Sequence, residues 1–221
     1  MAISVLSSSS LIQTGFAAGG ERTWSHSSNG NMLVVSAGLW QDVAGAGTIS
    51  AVAVSGNLFT RAGSIRNTQM QSELWYLFSP PTGNVTISAS VSGNTDDRKF
   101  GALSLSGADT TGLGATMLNV SNSSPITTSI TTVGNNSFVA DTTIKFSSTS
   151  ILAKSGQLAY INSNAGTTAF GNSYKGPIAS PSTISMTWDT SGNDDRSMVL
   201  IEIKAAPVIT THNFLNLLGV S

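Results

Sequence analysis

The sequence predicts an all-β protein, a two-sheet antiparallel β-sandwich of jelly-roll type, and three observations carry that expectation. Apolar residues almost never recur with a helical period; short β-branched or alternating runs dominate instead. Clusters of Gly, Asn, Ser and Pro with good turn chemistry separate those runs. The runs are also too many for one open sheet to hold without curling, so two packed sheets are the economical solution.

The first predicted strand covers residues 22–26 and stops at SSNGN, which begins at Ser27. The LVV-containing run 31–38 follows, then 48–54, whose SGN turn at Ser55 leads into 57–62. The strongly apolar run 72–79 closes on SPPTGN. Residues 84–91 alternate polar and apolar as NVTISASV, and the apolar run 99–106 comes after a polar tip. Further strands are predicted at 115–120, 126–131, 137–144, 157–161 and 168–174. The alternating run 183–188 and the apolar run 197–204 close the series.

Two of these hairpins echo each other. SGNTDDRKFGALSLSG from Ser92 and SGNDDRSMVLIEIK from Ser191 both read as a polar tip that opens an apolar strand, as expected of a duplicated Greek-key arm. The chain divides into an N-terminal segment, 1–20, with SSSS at Ser7 expected to be loose, a sandwich domain, 21–206, and a C-terminal tail, 207–221. The tail follows Pro207 and carries Phe214, Leu215, Leu217, Leu218 and Val220. Such an apolar stretch calls for a partner surface, its own or another chain's.

Only 10% of the residues are charged and the formal net charge is −1, so the polar surface comes mostly from Ser, Thr, Asn and Gln. Neither nucleic acid nor an anionic membrane is an expected partner, because both need a basic field. With no Cys there are no disulfides, thiolate metal sites or cysteine nucleophiles. The start MAISVLSSSSLIQTG has neither the basic opening nor the apolar core of a secretory signal, and no stretch is long enough for a membrane helix. The expectation is a cytoplasmically made protein that leaves a cell, if it does, by lysis.

The chemistry available is sparse. Asp96, Asp97, Asp194 and Asp195 at the two tips are candidate ligands for Ca²⁺, which takes carboxylate and carbonyl oxygens. Neither tip has the alternating D-x-D-x-D spacing of a dedicated calcium loop. The expected state is therefore a solvated turn capped by Asp, with Arg98 or Arg196 paired across it, and no cofactor is required. A glycosidase needs two facing carboxylates; nothing selects a pair among Glu21, Asp42, Glu73, Asp109, Asp141, Asp189 and Glu202. Glu73 and Glu202 lie inside predicted strands, where an acid either points outwards or is buried and paired. His26 and His212 are too few for a three-His zinc site, and no serine sits in a G-x-S-x-G elbow, so no enzyme is expected. Trp75 and Trp188 read as core, whereas Trp40, in AGLWQDVAGAGT, is the candidate exposed platform for a sugar ring.

The run from RTWSHSSNGNMLVVSAG through QSELWYLFSPPTGNVTISASVSG to FGALSLSGAD resembles a recurrent β-sandwich module of tailed phages and bacteria, and DDRSMVLIEIKAA resembles its last core strand. ELWYLFSPPTGNVTIS is the most specific part of a likeness that spans residues 22–206. The resemblance implies a virion-associated structural protein: a capsid decoration, a head fibre or a tail appendage. Its implied partners are other virion proteins and copies of itself, with a trimer favoured. The alternative expectation is a carbohydrate-binding module that recognises a host-surface glycan through Trp40.

Overall fold

A computed structural model describes residues 2–41, 47–154 and 156–208. The regular elements among these residues are all strands, arranged in four antiparallel sheets. The first inner sheet runs in spatial order β1 (Ser4–Gln13), β9 (Asp97–Ser106), β3 (Met32–Trp40), β7 (Met70–Phe78), β6 (Thr60–Asn67). Its outer companion runs β2 (Gly20–Ser28), β8 (Gly83–Ser92), β4 (Thr48–Val54), β5 (Asn57–Leu58). The second inner sheet runs β10 (Thr116–Ser121), β17 (Arg196–Ile203), β12 (Ser137–Phe146), β15 (Thr168–Ile178), β14 (Leu158–Ser163). The second outer sheet runs β11 (Ile126–Thr131), β16 (Thr183–Thr190), β13 (Ile151–Ala153).

The duplication therefore reaches far beyond two hairpins. Apart from β5, which has no counterpart, β10–β17 reproduce the sheet orders of β1–β9. Even an irregularity recurs: the ladder of β6 with β7 skips Ala62, and that of β14 with β15 skips Tyr160 at the matching place. In place of one sandwich over 21–206 there are two tandem sheet pairs. The N-terminal segment expected to be loose forms β1, paired with β9 along its length. Serine has little strand propensity, so the sequence signal there was faint; the ladder with β9 supplies what propensity does not.

Burial explains which strands lie where. Outer strands bury alternate residues, as NVTISASVS does on β8. Inner strands such as β3, β9, β12 and β17 are buried on both faces. One core fills the first sheet pair around Leu33, Val35, Trp75, Ile87 and Phe100, and another fills the second around Ile130, Ile151, Trp188 and Leu200. A third core joins the two inner sheets through Met32, Val34, Leu103, Leu105, Phe138, Ala140, Val199 and Ile201. The stack is thus four layers thick, outer–inner–inner–outer. The exposed face of the second outer sheet is a ladder of hydroxyl pairs, Thr127–Thr187, Ser129–Ser185 and Thr131–Thr183, 2.8–3.1 Å apart.

Contacts between the inner sheets are reciprocal. β6 lies against β10, and its counterpart β14 lies against β1, the counterpart of β10. When Arg98 is matched with Arg196, the strand registers match Trp40 with Phe146, and these two rings pack on each other at 5.6 Å. The exits from β9 and β17 also pair, Ala108 bridging Ala205 with Asp109 N–H donating to the Lys204 carbonyl at 2.8 Å. Equivalent residues that meet each other mark a pseudo-two-fold axis between the repeats.

Candidate functional site: the repeated acidic tips

Alternation along β9 sends Asp97 and Lys99 to one face and Arg98 to the other. Asp97 is 1% exposed, far from the solvated turn expected of it. Its Oδ2 accepts from Thr167 N–H at 2.9 Å, Thr168 N–H at 3.0 Å and the Thr168 hydroxyl at 2.9 Å, and its Oδ1 accepts from Gly15 N–H at 3.2 Å. Thr167 ends the turn between β14 and β15 and Thr168 opens β15, so this acid grips the other repeat. Lys99, fully buried beside it, donates to the carbonyls of Ala165 and Thr168 at 2.6 and 2.5 Å. Burial lowers the Lys99 pKa to about 8, against the opposing pull of Asp97.

The second tip holds the reciprocal hairpin. Asn67, the last residue of β6 before the turn into β7, donates to the carbonyls of Ser121 and Arg196 at 3.3 and 3.1 Å and to Asn122 Oδ1 at 2.6 Å. Ser72 and Ser197 meet hydroxyl to hydroxyl at 2.9 Å. Arg196 is fully buried and tied to its own tip: Nε donates to Thr190 Oγ1 at 2.9 Å and Nη1 to the Asp194 carbonyl at 2.8 Å. Arg98 likewise binds carbonyls, those of Ala17 and Ala18. Each Arg therefore holds loop carbonyls through hydrogen bonds, while the charges of Asp96 and Asp194 act on Arg98 and Arg196 respectively. Asp194 lies 3.4 Å from Lys145, whose ammonium also donates to Thr149 and to the Ser191 carbonyl.

The other strand acids are committed in the same way. Glu73 accepts from Trp75 Nε1 at 2.8 Å, the Ser64 hydroxyl at 3.0 Å and Gln71, and burial raises its pKa. Asp141 accepts from Trp188 Nε1 at 2.8 Å and from the Ser173 N–H and hydroxyl at 2.7 and 2.8 Å; burial pushes its pKa up to about 7. Glu202 is capped by the N–H groups of Ala115, Val133 and Gly134 at 2.8–3.1 Å. His26 lies buried in β2 between the hydroxyls of Ser9 and Ser104, each at 2.8 Å. These lone pairs face fixed donors and not a common groove.

No known family, curated protein or solved structure matches this chain. Among the described residues no group of three or more His, Asp and Glu side chains could hold a metal ion. Asp97 in particular presents its oxygens to N–H and O–H donors, the wrong partners for a Ca²⁺ ligand, while Asp96, Asp194 and Asp195 are half-buried. Trp40 is corrected from exposed platform to packed residue. It ends β3 partly buried against Phe146 and beside Met70, Ile144 and Phe170, where the inner sheets meet. The tail residues Phe214, Leu215, Leu217, Leu218 and Val220 lie outside the described residues.

Sequence reasoning placed the acids on hairpin tips but missed that the β14–β15 turn grips Asp97 and that the β6–β7 hairpin holds the backbone at Arg196. A signal existed. Charged and polar residues inside runs with no alternation, as in DRKFGALSLS and SFVADTTIKF, mark strands covered on both faces by other protein.

Proposed function

We propose that the chain is a non-enzymatic structural subunit of a tailed-phage virion, a capsid decoration, head fibre or tail appendage that assembles with other virion proteins and with its own copies. The observation that carries this reading is an open sheet edge. β10 ends the second inner sheet, and Met117, Leu118 and Val120 on it are 42–43% exposed. A chain whose buried acids and lysines are committed to holding its own layers offers surface, not reactive groups, to a partner. The strand orders β1-β9-β3-β7 over β2-β8-β4-β5 support a jelly-roll reading of the first repeat, and the second follows it with one outer strand fewer, an architecture suited to capsid parts. The nearly uncharged hydroxyl faces and the resemblance of the sequence to phage modules support the same role. In this reading the apolar tail 207–221 is the second docking element.

Light scattering on the purified protein tests it. The expected result is a homo-oligomer, a trimer favoured, that falls to monomer when the chain is cut after Ala206. A full-length chain that stays monomeric and leaves tailed-phage particles unbound contradicts the reading.

A further inference from the structure

At one end of the first sheet pair, Gln13, Thr14, Phe16, Ala17, Arg22 and Arg98 line a surface depression of about 270 Å³. Two guanidiniums meet there. Arg98, 2% exposed, is anchored through Nη2 on the carbonyls of Ala17 and Ala18; Arg22 is anchored on those of Ala18 and Glu21 at 2.8 and 2.9 Å. The Nε of each arginine and Oε1 of Gln13 are buried with no protein partner. Burial and then the charge of Arg22 lower the Arg98 pKa, and Asp96 offsets only part of this. A buried N–H beside a second cation is a place where an anionic acceptor is favoured.

The second repeat supplies a control. Arg196, the counterpart of Arg98, places Nε on Thr190, Nη1 on Asp194 and Nη2 on Gly192. The unpaired donors are thus particular to the first repeat and not a by-product of the repeated motif. Phe16, also particular to this site, stands 71% exposed among its lining residues and offers an apolar ring face.

We propose that this depression binds a carboxylate-bearing sugar, a uronate unit of an acidic glycan. The carboxylate bridges Arg22 and Arg98, whose planar forks match its geometry. A sugar hydroxyl donates to Gln13 Oε1, and the pyranose ring lies on Phe16. Neutral sugars lack the anion, and free phosphate has no ring for Phe16. The site is independent of any position in a virion, and it moves the sugar-stacking role from Trp40 to Phe16.

Titration of the full chain with oligogalacturonate, a neutral galactose oligomer of equal length and inorganic phosphate, followed by calorimetry and by the arginine Nε–H resonances, decides the matter. Oligogalacturonate is expected to bind with a Kd of roughly a millimolar or tighter, to shift the Arg22 and Arg98 Nε–H signals, and to weaken as salt is raised. Arg22→Gln should lower the affinity about tenfold or more and Phe16→Ala several-fold, both with an unchanged melting temperature. If Arg22→Gln fails to fold, Phe16→Ala and the resonance shifts carry the test. No binding, equal binding of the neutral oligomer or of phosphate, or binding indifferent to Phe16→Ala overturns the proposal.

Discussion

Gly166 shows how closely the two repeats meet. It takes φ +73° in the β14–β15 turn, and a Cβ there would stand 2.6 Å from Asp97 Oδ1. Gly166→Ala therefore combines backbone strain with a clash against a carboxylate already holding four donors. It is expected to cost about 1–3 kcal/mol in denaturant unfolding. Lys99, two residues along β9 from Asp97, gives a pH signature. Its folded pKa is lowered to about 8, below the value of an exposed lysine, so between pH 8 and roughly 10.4 the unfolded chain binds the extra proton. Stability should rise with pH across that window by roughly 3 kcal/mol, and that gain should be gone once pH has fallen to about 8. Lys99→Met should flatten the rise, as read from urea midpoints at a series of pH values.

At the level of elements, the strands that carry the fold were largely legible, and the exceptions have physical reasons. NVTISASV and TISMTW alternate and are outer strands; the unbroken apolar runs LVV and VLI are inner ones. β13 has only three residues, held by its ladder with β16, too short to show a period. The run read as one strand over 57–62 is two, β5 in an outer sheet and β6 in an inner one, because the chain crosses between layers at Phe59. The tip acids were found by their repetition, but their burial was not, since it depends on turns about seventy residues away, a separation no local pattern encodes. The depression at Phe16 escaped for a similar reason: Arg22 and Arg98 come together only when β2 and β9 do. The edge strand β10 also makes a prediction. Met117→Lys places a charge on an exposed edge, so it should weaken self-association by about tenfold or more while moving the melting temperature little.

Across the whole molecule, the two repeats behave as halves of one body. The apolar core between the inner sheets is as buried as either sandwich core; Asp97 grips the β14–β15 turn of the other repeat, and Asn67 holds the Arg196 carbonyl in return. A duplicated unit that covers one face of itself in this way leaves its outer faces and sheet edges exposed, and the assembly role proposed above rests on those surfaces. The measurement that tests this account most directly is calorimetric unfolding of the intact chain and of Asp97→Asn, each with and without calcium. An amide at Asp97 keeps its oxygen on Thr167 and Thr168 but turns its NH2 donor toward the Gly15 N–H and loses the charge that strengthens the other three bonds, a loss of about 2–4 kcal/mol. The account predicts one cooperative transition for the unaltered chain, lowered by roughly 5–15 °C in Asp97→Asn, with calcium changing neither. Two separate transitions in the unaltered chain, an unaltered melting temperature in Asp97→Asn, or a melting temperature that calcium raises through Asp97 would contradict it.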